Sequence, residues 1–322
     1  MSVVESSAPF TQGAFVFWDV KPASHQRLRA ELEAIGIVDY TPPPLSVTVA
    51  LKRAMAEYAR ATKKQTAANQ SRQTPKGQKM RRDKMVQRHA SADKYGFEVV
   101  DVERGETNNV YVHDFSAKIM FDKSADGETV TGERVSVTGG YANEGFIQSQ
   151  YNANRKIISA SAIGKMLVRC IGELHGTCVR TMGGTYYVPE DTCDTWKAIV
   201  AAVERASETV VTTAKIVMDK SAVRTIKAAV QKEIKTECER LEQEIAAASQ
   251  VDENGNPKMG KRALENRVEK GRELLSKVKE YESIVGEELN AVRNLLARVE
   301  QSAVAAIAKV QADDQFADLL TV

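Results

Sequence analysis

Three of the four cysteines and one histidine lie in a short stretch of the chain, and both residue types are common zinc ligands. The residues are Cys170, His175, Cys178 and Cys193. No pair of them has the C-x₂-C spacing of common structural zinc sites, and Cys170 belongs to the apolar face of a predicted helix. Burial of free cysteines explains the group without a metal, so we predict no metal ligands.

The chain lacks the sequence signatures of the common catalytic sites. It contains neither G-x-x-x-x-G-K-[ST] nor G-x-G-x-x-G, and neither G-x-S-x-G nor H-E-x-x-H. His113-Asp114 and the neighbouring carboxylates could form a metal-dependent nuclease site, but no carboxylate-x-lysine motif follows a strand there. We therefore predict a non-enzymatic protein with no catalytic residue and no cofactor, and keep the nuclease as a third hypothesis.

Basic residues concentrate between Arg60 and Arg88, where Asp83 is the only acidic residue. Such residues bind phosphates through their charge, and no interleaved aromatic residue offers a surface for stacking single-stranded bases. We predict largely non-specific nucleic-acid contacts from Lys63, Lys64, Arg72, Lys76, Lys79, Arg81, Arg82, Lys84 and Arg88. Segment 60–94 is predicted to be a loop, because its first part is polar and nearly free of apolar residues. The alternative is that this loop pairs with the acidic strands that follow it.

The stretch Ile158–Glu190 joins the two halves of the chain and has the pattern of a helix followed by a β-hairpin. The same order ends a winged helix, in which Lys165, Arg169 and Arg180 would contact phosphates. The helix has a continuous apolar face and little exposed charge for a recognition helix. We therefore favour a helix packed on a hairpin, which connects the sheet to the helical region.

Apolar runs and turn signals earlier in the chain predict an α+β domain with antiparallel strands. Ala14–Trp18 is expected to be a buried strand, and Leu45–Tyr58 an amphipathic helix. Further strands are predicted at Tyr95–Val102, Asn109–His113, Ala117–Asp122 and Thr129–Thr138. In the helix of the helix–hairpin stretch, Ser159 is suited to the N-cap and Gly176 to the end.

Two long amphipathic helices follow, the first beginning at Ile216, and the turn Asp252–Pro257 separates them. The second has a nearly seven-residue apolar repeat, so the two are predicted to form an antiparallel coiled-coil hairpin. We predict domains at 1–205 and 206–322, with residues 216–310 available for self-association or for a partner helix. The alternative is a hairpin that only stabilises its own domain.

Composition excludes several classes of protein. The net charge is only +2, so no overall field draws the chain to nucleic acid or to an anionic membrane. No apolar run approaches the roughly 20 residues of a transmembrane helix, and the first ten residues lack the pattern of a secretory signal. Four cysteines in a chain of this length do not suggest a disulfide framework. We expect a cytoplasmic protein with no membrane partner.

The run Gly183–Pro189, GGTYYVP, lies between a helix ending near Leu174 and a helix at Trp196, and it resembles an uncharacterised protein family of bacteria and their phages. The resemblance covers roughly the first two hundred residues and implies a bacterial or viral source, but it brings no activity, ligand or catalytic residue.

Together these patterns predict an assembly or adaptor protein that self-associates through its helices and contacts nucleic acid through the basic loop. The alternative is a purely structural or protein-interaction component, for example in phage or bacterial assembly, without nucleic-acid binding.

Overall fold

The computed structural model describes residues 11–70, 81–88, 96–104, 109–123, 130–139, 142–180, 184–217, 219–248, 261–286 and 288–320. The strands are β1 (Thr11–Asp19), β2 (Ala23–Ser24), β3 (Arg81–Arg88), β4 (Gly96–Arg104), β5 (Asn109–Lys123), β6 (Val130–Thr138), β7 (Ile157–Ile158), β8 (Thr177–Arg180), β9 (Thr185–Pro189) and β10 (Val210–Val217). The helices are α1 (His25–Glu33), α2 (Val47–Gln70), α3 (Glu144–Asn154), α4 (Ala160–Glu173), α5 (Cys193–Ala206), α6 (Lys220–Ala248), α7 (Lys261–Val285) and α8 (Asn290–Leu320). None of the helices in these ranges combines the length and apolarity needed to cross a bilayer.

The chain folds into two compact units, and each unit combines stretches that are far apart in sequence. The bundle unit is drawn from Met1–Asp19, Leu167–Ala201 and Val210–Val322. The meander unit is drawn from Val20–Met166 and Ala202–Thr209. The predicted domains are contiguous in sequence, and their boundary after residue 205 stays a prediction.

The bundle unit contains a four-stranded antiparallel sheet in the order β10-β1-β9-β8. The strand predicted at Ala14–Trp18 is confirmed and lies inside this sheet as part of β1. Phe15 and Tyr187 meet edge to face, with 6.2 Å between ring centroids, on the side that packs against the helices. Trp18 stacks on Tyr186 at 5.0 Å, also between centroids. Because side chains alternate along a strand, β1 supplies aromatic packing to both faces of the sheet.

Helices α6, α7 and α8 bury a shared apolar cluster, which also includes residues of the sheet. Buried members predicted from the apolar spacing include Ile226, Val230, Ile234, Leu264, Val278 and Leu296. Two ion pairs link α6 to α7: Glu233–Lys277 and Glu244–Arg267. Their order shows that these helices run in opposite directions. The predicted two-helix coiled coil is not confirmed, because a third helix shares the cluster.

The beginning and the middle of the predicted hairpin both differ from the structure. Ile216, expected in the first helix, lies in β10, a strand that the sequence analysis did not predict. The second predicted helix is two helices, α7 and α8. Gly286 between them has φ +67°, a left-handed conformation that glycine adopts readily at helix ends. Glu282 accepts a hydrogen bond from the backbone N–H of Leu289 at 2.7 Å and pairs with Arg293, which fixes the turn.

Helix α4 and strands β8 and β9 correspond to the predicted helix and hairpin. Ser159 caps α4 as predicted, since its hydroxyl accepts a hydrogen bond from the N–H of Ala162 at 3.2 Å. His175, rather than Gly176, adopts the left-handed conformation after the helix, with φ 55°. The winged helix is not confirmed: β9 pairs with β1 as well as with β8, so the hairpin is part of a larger sheet.

The meander unit contains a four-stranded antiparallel sheet, β3-β4-β5-β6, in which each strand pairs with the next along the chain. The strands predicted at 109–113 and 117–122 are one strand, β5, whose register against β4 shifts between Val99 and Val100. Helices α2 and α3 pack on one face of this sheet. The buried cluster there includes Leu51, Met55, Phe115, Val135 and Ile147. A short pair, β2 and β7, completes the unit.

The basic segment is not one loop. Helix α2 contains its first part and strand β3 its last part. The helix continues because alanine, lysine and glutamine favour helix, and neither proline nor glycine interrupts the chain before Pro75. The loop predicted at 60–94 is therefore wrong for residues 60–70 and 81–88.

Candidate functional site

The nine predicted phosphate-binding residues fall into three groups. Lys63 and Lys64 belong to α2. Arg81, Arg82, Lys84 and Arg88 belong to β3. Arg72, Lys76 and Lys79 lie outside the described residues. Because α2 and β3 are consecutive elements, the basic residues follow one path along the chain, from a helix to the edge strand of a sheet.

Helix α2 also exposes cationic side chains before the predicted segment, and we call Lys52, Arg53 and Arg60 the α2 stripe. All three are exposed, and within the described ranges none forms an ion pair. Arg53 and Arg60 are seven residues apart, which places them on one face of the helix about 10 Å apart along its axis. Glu57 lies between them but is only half-exposed and pairs with neither. The position of Lys64 continues the same face one turn later.

The packing of α2 fixes which of its residues face solvent. Its opposite face is formed by buried residues that contact the sheet of the meander unit, among them Leu51 and Met55. Tyr58 also turns inward: its ring lies 5.5 Å from that of Phe115, edge to face, and its oxygen accepts a hydrogen bond from the N–H of Asn143 at 3.1 Å. The α2 stripe therefore contains charge and no aromatic ring.

None of the three α2 stripe residues is among the nine predicted phosphate-binding residues, although Arg60 begins the basic stretch that contains them. Lys52 and Arg53 precede the boundary that was set at Arg60, where the composition changes. The helical period could have identified Arg53, because Arg53 lies in the predicted helix Leu45–Tyr58 and stands two turns before Arg60.

Strand β3 differs from α2, because acidic residues stand opposite two of its four basic positions, whereas Arg81 stands opposite Arg104 and Arg88 opposite Phe97. In the antiparallel register, Arg82 pairs with Glu103 and Lys84 with Asp101 of β4. Opposite charges at such positions contribute roughly 0.2–1 kcal/mol per pair. Two of the predicted basic residues in β3 therefore have acidic neighbours in register, whereas the three cations of the α2 stripe have no ion-pair partner among the described residues.

Of the cysteine and histidine residues considered as zinc ligands, two are buried and one contacts a carboxylate. Cys170 and Cys193 are buried. Burial raises the pKa of the Cys170 thiol to about 11 and also raises the pKa of Cys193, which disfavours the thiolate that a metal needs. His175 contacts Glu280 through Nδ1. In the part of the chain that the structure describes, no three His, Cys, Asp or Glu side chains are arranged to hold a metal ion.

A polar cluster joins β8 to helices α6 and α7. Lys277, whose side chain is 8% exposed, donates through Nζ to the carbonyl oxygen of Gly176 and to Glu233 Oε1, both at 2.7 Å. The hydroxyl of Thr177 donates to the other carboxylate oxygen of Glu233. The hydrogen-bonding groups of the cluster are thus directed to one another, so it positions the helices on the sheet.

An open cavity of ≈ 470 Å³ borders this cluster. It is lined in part by Arg169, Glu173, Glu237, Lys270 and Glu273. The walls carry charges of both signs, and Lys270 pairs with Glu273 at 2.7 Å. Neither a uniform charge nor a set of convergent donors selects a ligand class there, so the cavity supports no specific chemistry.

Comparison with known proteins places the chain in a family but gives it no activity. No curated protein and no solved structure shows significant similarity to it. A protein-family model matches residues 13–313, a longer range than the resemblance predicted from the sequence. The predicted similarity to an uncharacterised family is thereby confirmed, while the bacterial or viral source stays a prediction. The chain belongs to DUF6744, a protein family of unknown function.

Proposed function

We propose that this protein is a non-enzymatic assembly or adaptor protein that binds nucleic-acid phosphates through the α2 stripe and the basic segment that follows it. The observation that supports this proposal most directly is the α2 stripe itself. Its three cations are exposed on a helix whose orientation is fixed by packing, and they lack ion-pair partners among the described residues. Cations held in this way keep their charge available for phosphates.

The chemistry of the stripe suits the backbone of a duplex. Each phosphate of duplex DNA that a cation neutralises releases condensed counterions. The logarithm of the affinity therefore falls with the logarithm of the salt concentration, by a slope of about 0.9 per phosphate contact. Single-strand binding relies on aromatic stacking, and the stripe has no aromatic ring because Tyr58 faces inward. We therefore expect duplex binding without sequence preference.

Fluorescence anisotropy with a labelled DNA duplex over a salt series tests the stripe. The double variant Arg53→Gln/Arg60→Gln should bind more weakly at low salt and lose about 1.8 from the slope of log affinity against log salt. The matched control is Lys232→Gln/Lys279→Gln, which removes the same charge from exposed positions on α6 and α7. Absence of duplex binding by the wild type at low salt, or an equal loss in both variants, would refute the proposal.

The basic segment after α2 is tested separately. Neutralising Lys79, Arg81, Arg82 and Lys84 together should weaken binding further if the segment contacts phosphates. Unchanged binding in this variant would confine the interface to α2 and remove the segment from the proposal.

The register of β3 favours a second candidate, a structural or protein-interaction component without nucleic-acid binding. In that case the positive charge of β3 serves to pair with the acidic residues of β4, as at Arg82–Glu103. The same salt series distinguishes the candidates, because this one requires that the wild type show no duplex binding at any salt concentration.

A further inference from the structure

Helix α2 turns one arc of its surface to solvent, and cations occupy both margins of this arc. Successive residues of an α-helix lie about 100° apart around the axis. Lys52 and Arg53, both exposed, therefore stand at opposite margins. The centre of the arc between them is formed by Val49 and Ala56, whose side chains are short and uncharged.

The buried half of α2 fixes the direction of this arc. Five residues are at most 4% exposed and belong to the core of the meander unit: Ala50, Leu51, Ala54, Met55 and Ala59. Val49 is apolar but 42% exposed, because it lies on the other side of the helix. The arc cannot turn inward without exposing this core.

The helical period continues both margins along the axis. Eleven residues make nearly three turns, so position 63 repeats the placement of Lys52, and position 64 that of Arg53, about 16 Å further on. Lys52 and Lys63 form the first row. The second row consists of Arg53, Arg60 and Lys64. Two rows of cations thus run along α2, one on each side of an uncharged centre.

The arc offers neither acidic charge nor hydrogen-bonding groups at its centre. Glu57 is the one acidic residue in the sequence of α2, and it is half-exposed, with its Oε2 shielded from solvent. The side chains of Val49 and Ala56 contain no donor or acceptor. The centre is therefore able to approach a surface closely but not to identify a base by hydrogen bonds.

We infer that α2 enters the major groove of duplex DNA and contacts the phosphates of both strands, one strand with each row. The inference rests on the proposed function, because it presupposes that α2 binds a duplex. The major groove of B-form DNA is about 12 Å wide, and an α-helix with its side chains is about 10–12 Å across. The uncharged centre faces the base edges, which accords with binding without sequence preference.

The two rows favour groove entry over contact along a single strand. A surface that follows one strand uses one row and leaves the other facing solvent, whereas a helix in a groove has phosphates on both sides. Double-stranded RNA has a deep, narrow major groove that side chains cannot reach. The inference therefore specifies DNA rather than RNA as the duplex.

Fluorescence anisotropy with three duplexes of one sequence tests groove entry. The first is unmodified DNA, the second is RNA, and the third is DNA whose cytosines carry a glucosylated hydroxymethyl group at C5. This group fills the major groove and leaves the phosphate charge unchanged. The wild type should bind unmodified DNA at least about tenfold more tightly than either of the other duplexes.

Neutralising the first row tests contact with both strands. Lys52→Gln/Lys63→Gln leaves Arg53 and Arg60 in place and should lose about 1.8 from the slope of log affinity against log salt. This loss should equal that of Arg53→Gln/Arg60→Gln, which removes two cations of the second row. The control Lys232→Gln/Lys279→Gln should keep the slope of the wild type.

The outcomes separate this inference from the proposed function. Absence of binding to unmodified DNA at low salt would refute both. Equal binding of the three duplexes would overturn the inference alone, because contact with phosphates would then suffice without groove entry. An unchanged slope for Lys52→Gln/Lys63→Gln would also overturn the inference alone, since only the second row would then contact DNA.

Discussion

Gly172 and Gly176 stand four residues apart at the end of α4 but have opposite surroundings. A Cβ at Gly176 would lie 2.5 Å from Ile171 Cγ2 and 2.7 Å from the backbone oxygen of Tyr187, whereas a Cβ at Gly172 would meet nothing within 4 Å. We expect Gly176→Ala to lower the free energy of unfolding by about 1–3 kcal/mol through overpacking. Gly172→Ala should raise it by up to about 1 kcal/mol, because alanine favours helix. Urea unfolding checks both, and effects of the same sign would contradict the packing described for this turn.

The buried ammonium of Lys277 gives a second prediction at the residue scale. Lys277→Met removes the hydrogen bonds to Glu233 Oε1 and to the carbonyl oxygen of Gly176, so we expect a loss of about 2 kcal/mol of unfolding free energy. Lys279→Met, at an exposed position on the same helix, should change it by less than about 0.5 kcal/mol. Equal effects in urea unfolding would show that the polar cluster contributes nothing to stability.

A third prediction concerns Glu133, whose carboxylate bonds to Arg155 at 2.8 and 3.0 Å and also accepts a hydrogen bond from Tyr151. The hydrogen bond from Arg155 is the main cause that lowers the pKa of Glu133 below its ordinary value of 4.5. A lowered pKa stabilises the fold above the ordinary value, and this contribution disappears as the pH falls through the lowered one. The unfolding free energies of wild type and Arg155→Met should therefore differ at neutral pH and converge as the pH falls below 4.5 and through the lowered pKa.

Arg134→Met is the control for that titration, because Arg134 is the exposed neighbour of Glu133 on β6 and has no ion pair within the described ranges. Its unfolding free energy should follow that of the wild type at every pH. A gap for Arg155→Met that stays constant into acid would mean that Arg155 acts through its contact with the carbonyl oxygen of Leu45 alone.

At the scale of elements, local patterns located most helices but misjudged their ends. The apolar repeat continues from Val285 to Leu289 across the break between α7 and α8, so periodicity alone could not show it, although Gly286 marks it. In α2, the change of composition at Arg60 concealed a helix that propensity would have continued. Strand β10 was missed because its pairing with β1 is set by contacts nearly two hundred residues apart, which no local pattern reports.

The break at Gly286 is itself testable. Gly286→Ala should lower the free energy of unfolding by about 1 kcal/mol, because φ +67° is costly for a residue with a Cβ. Gly271→Ala, within α7, should raise it by a similar amount, since a Cβ there would have nothing within 4 Å. A gain for Gly286→Ala in urea unfolding would indicate one continuous helix, as the sequence analysis predicted.

At the scale of the whole molecule, residues that are neighbours in the structure can be far apart in the sequence. The basic segment was visible as composition, but the exposure of the α2 stripe and the placement of acidic residues opposite Arg82 and Lys84 depend on tertiary structure. The bundle unit likewise places β1, from one end of the chain, between β9 and β10. Because β1 belongs to the sheet on which α6, α7 and α8 pack, this unit contains residues from both predicted domains.

The predicted boundary after residue 205 can be tested on this basis. A fragment of residues 206–322 contains β10 but lacks β1, and its helical cluster lacks Phe15 and Tyr187. We expect it to be helical by circular dichroism, to scatter light through the edge of β10 that β1 covers in the full chain, and to lose the cooperative melting of the full chain. A fragment of residues 219–322, without β10, should scatter less. Cooperative melting of the longer fragment as a monomer, at the midpoint of the full chain, would instead establish residues 206–322 as an autonomous domain.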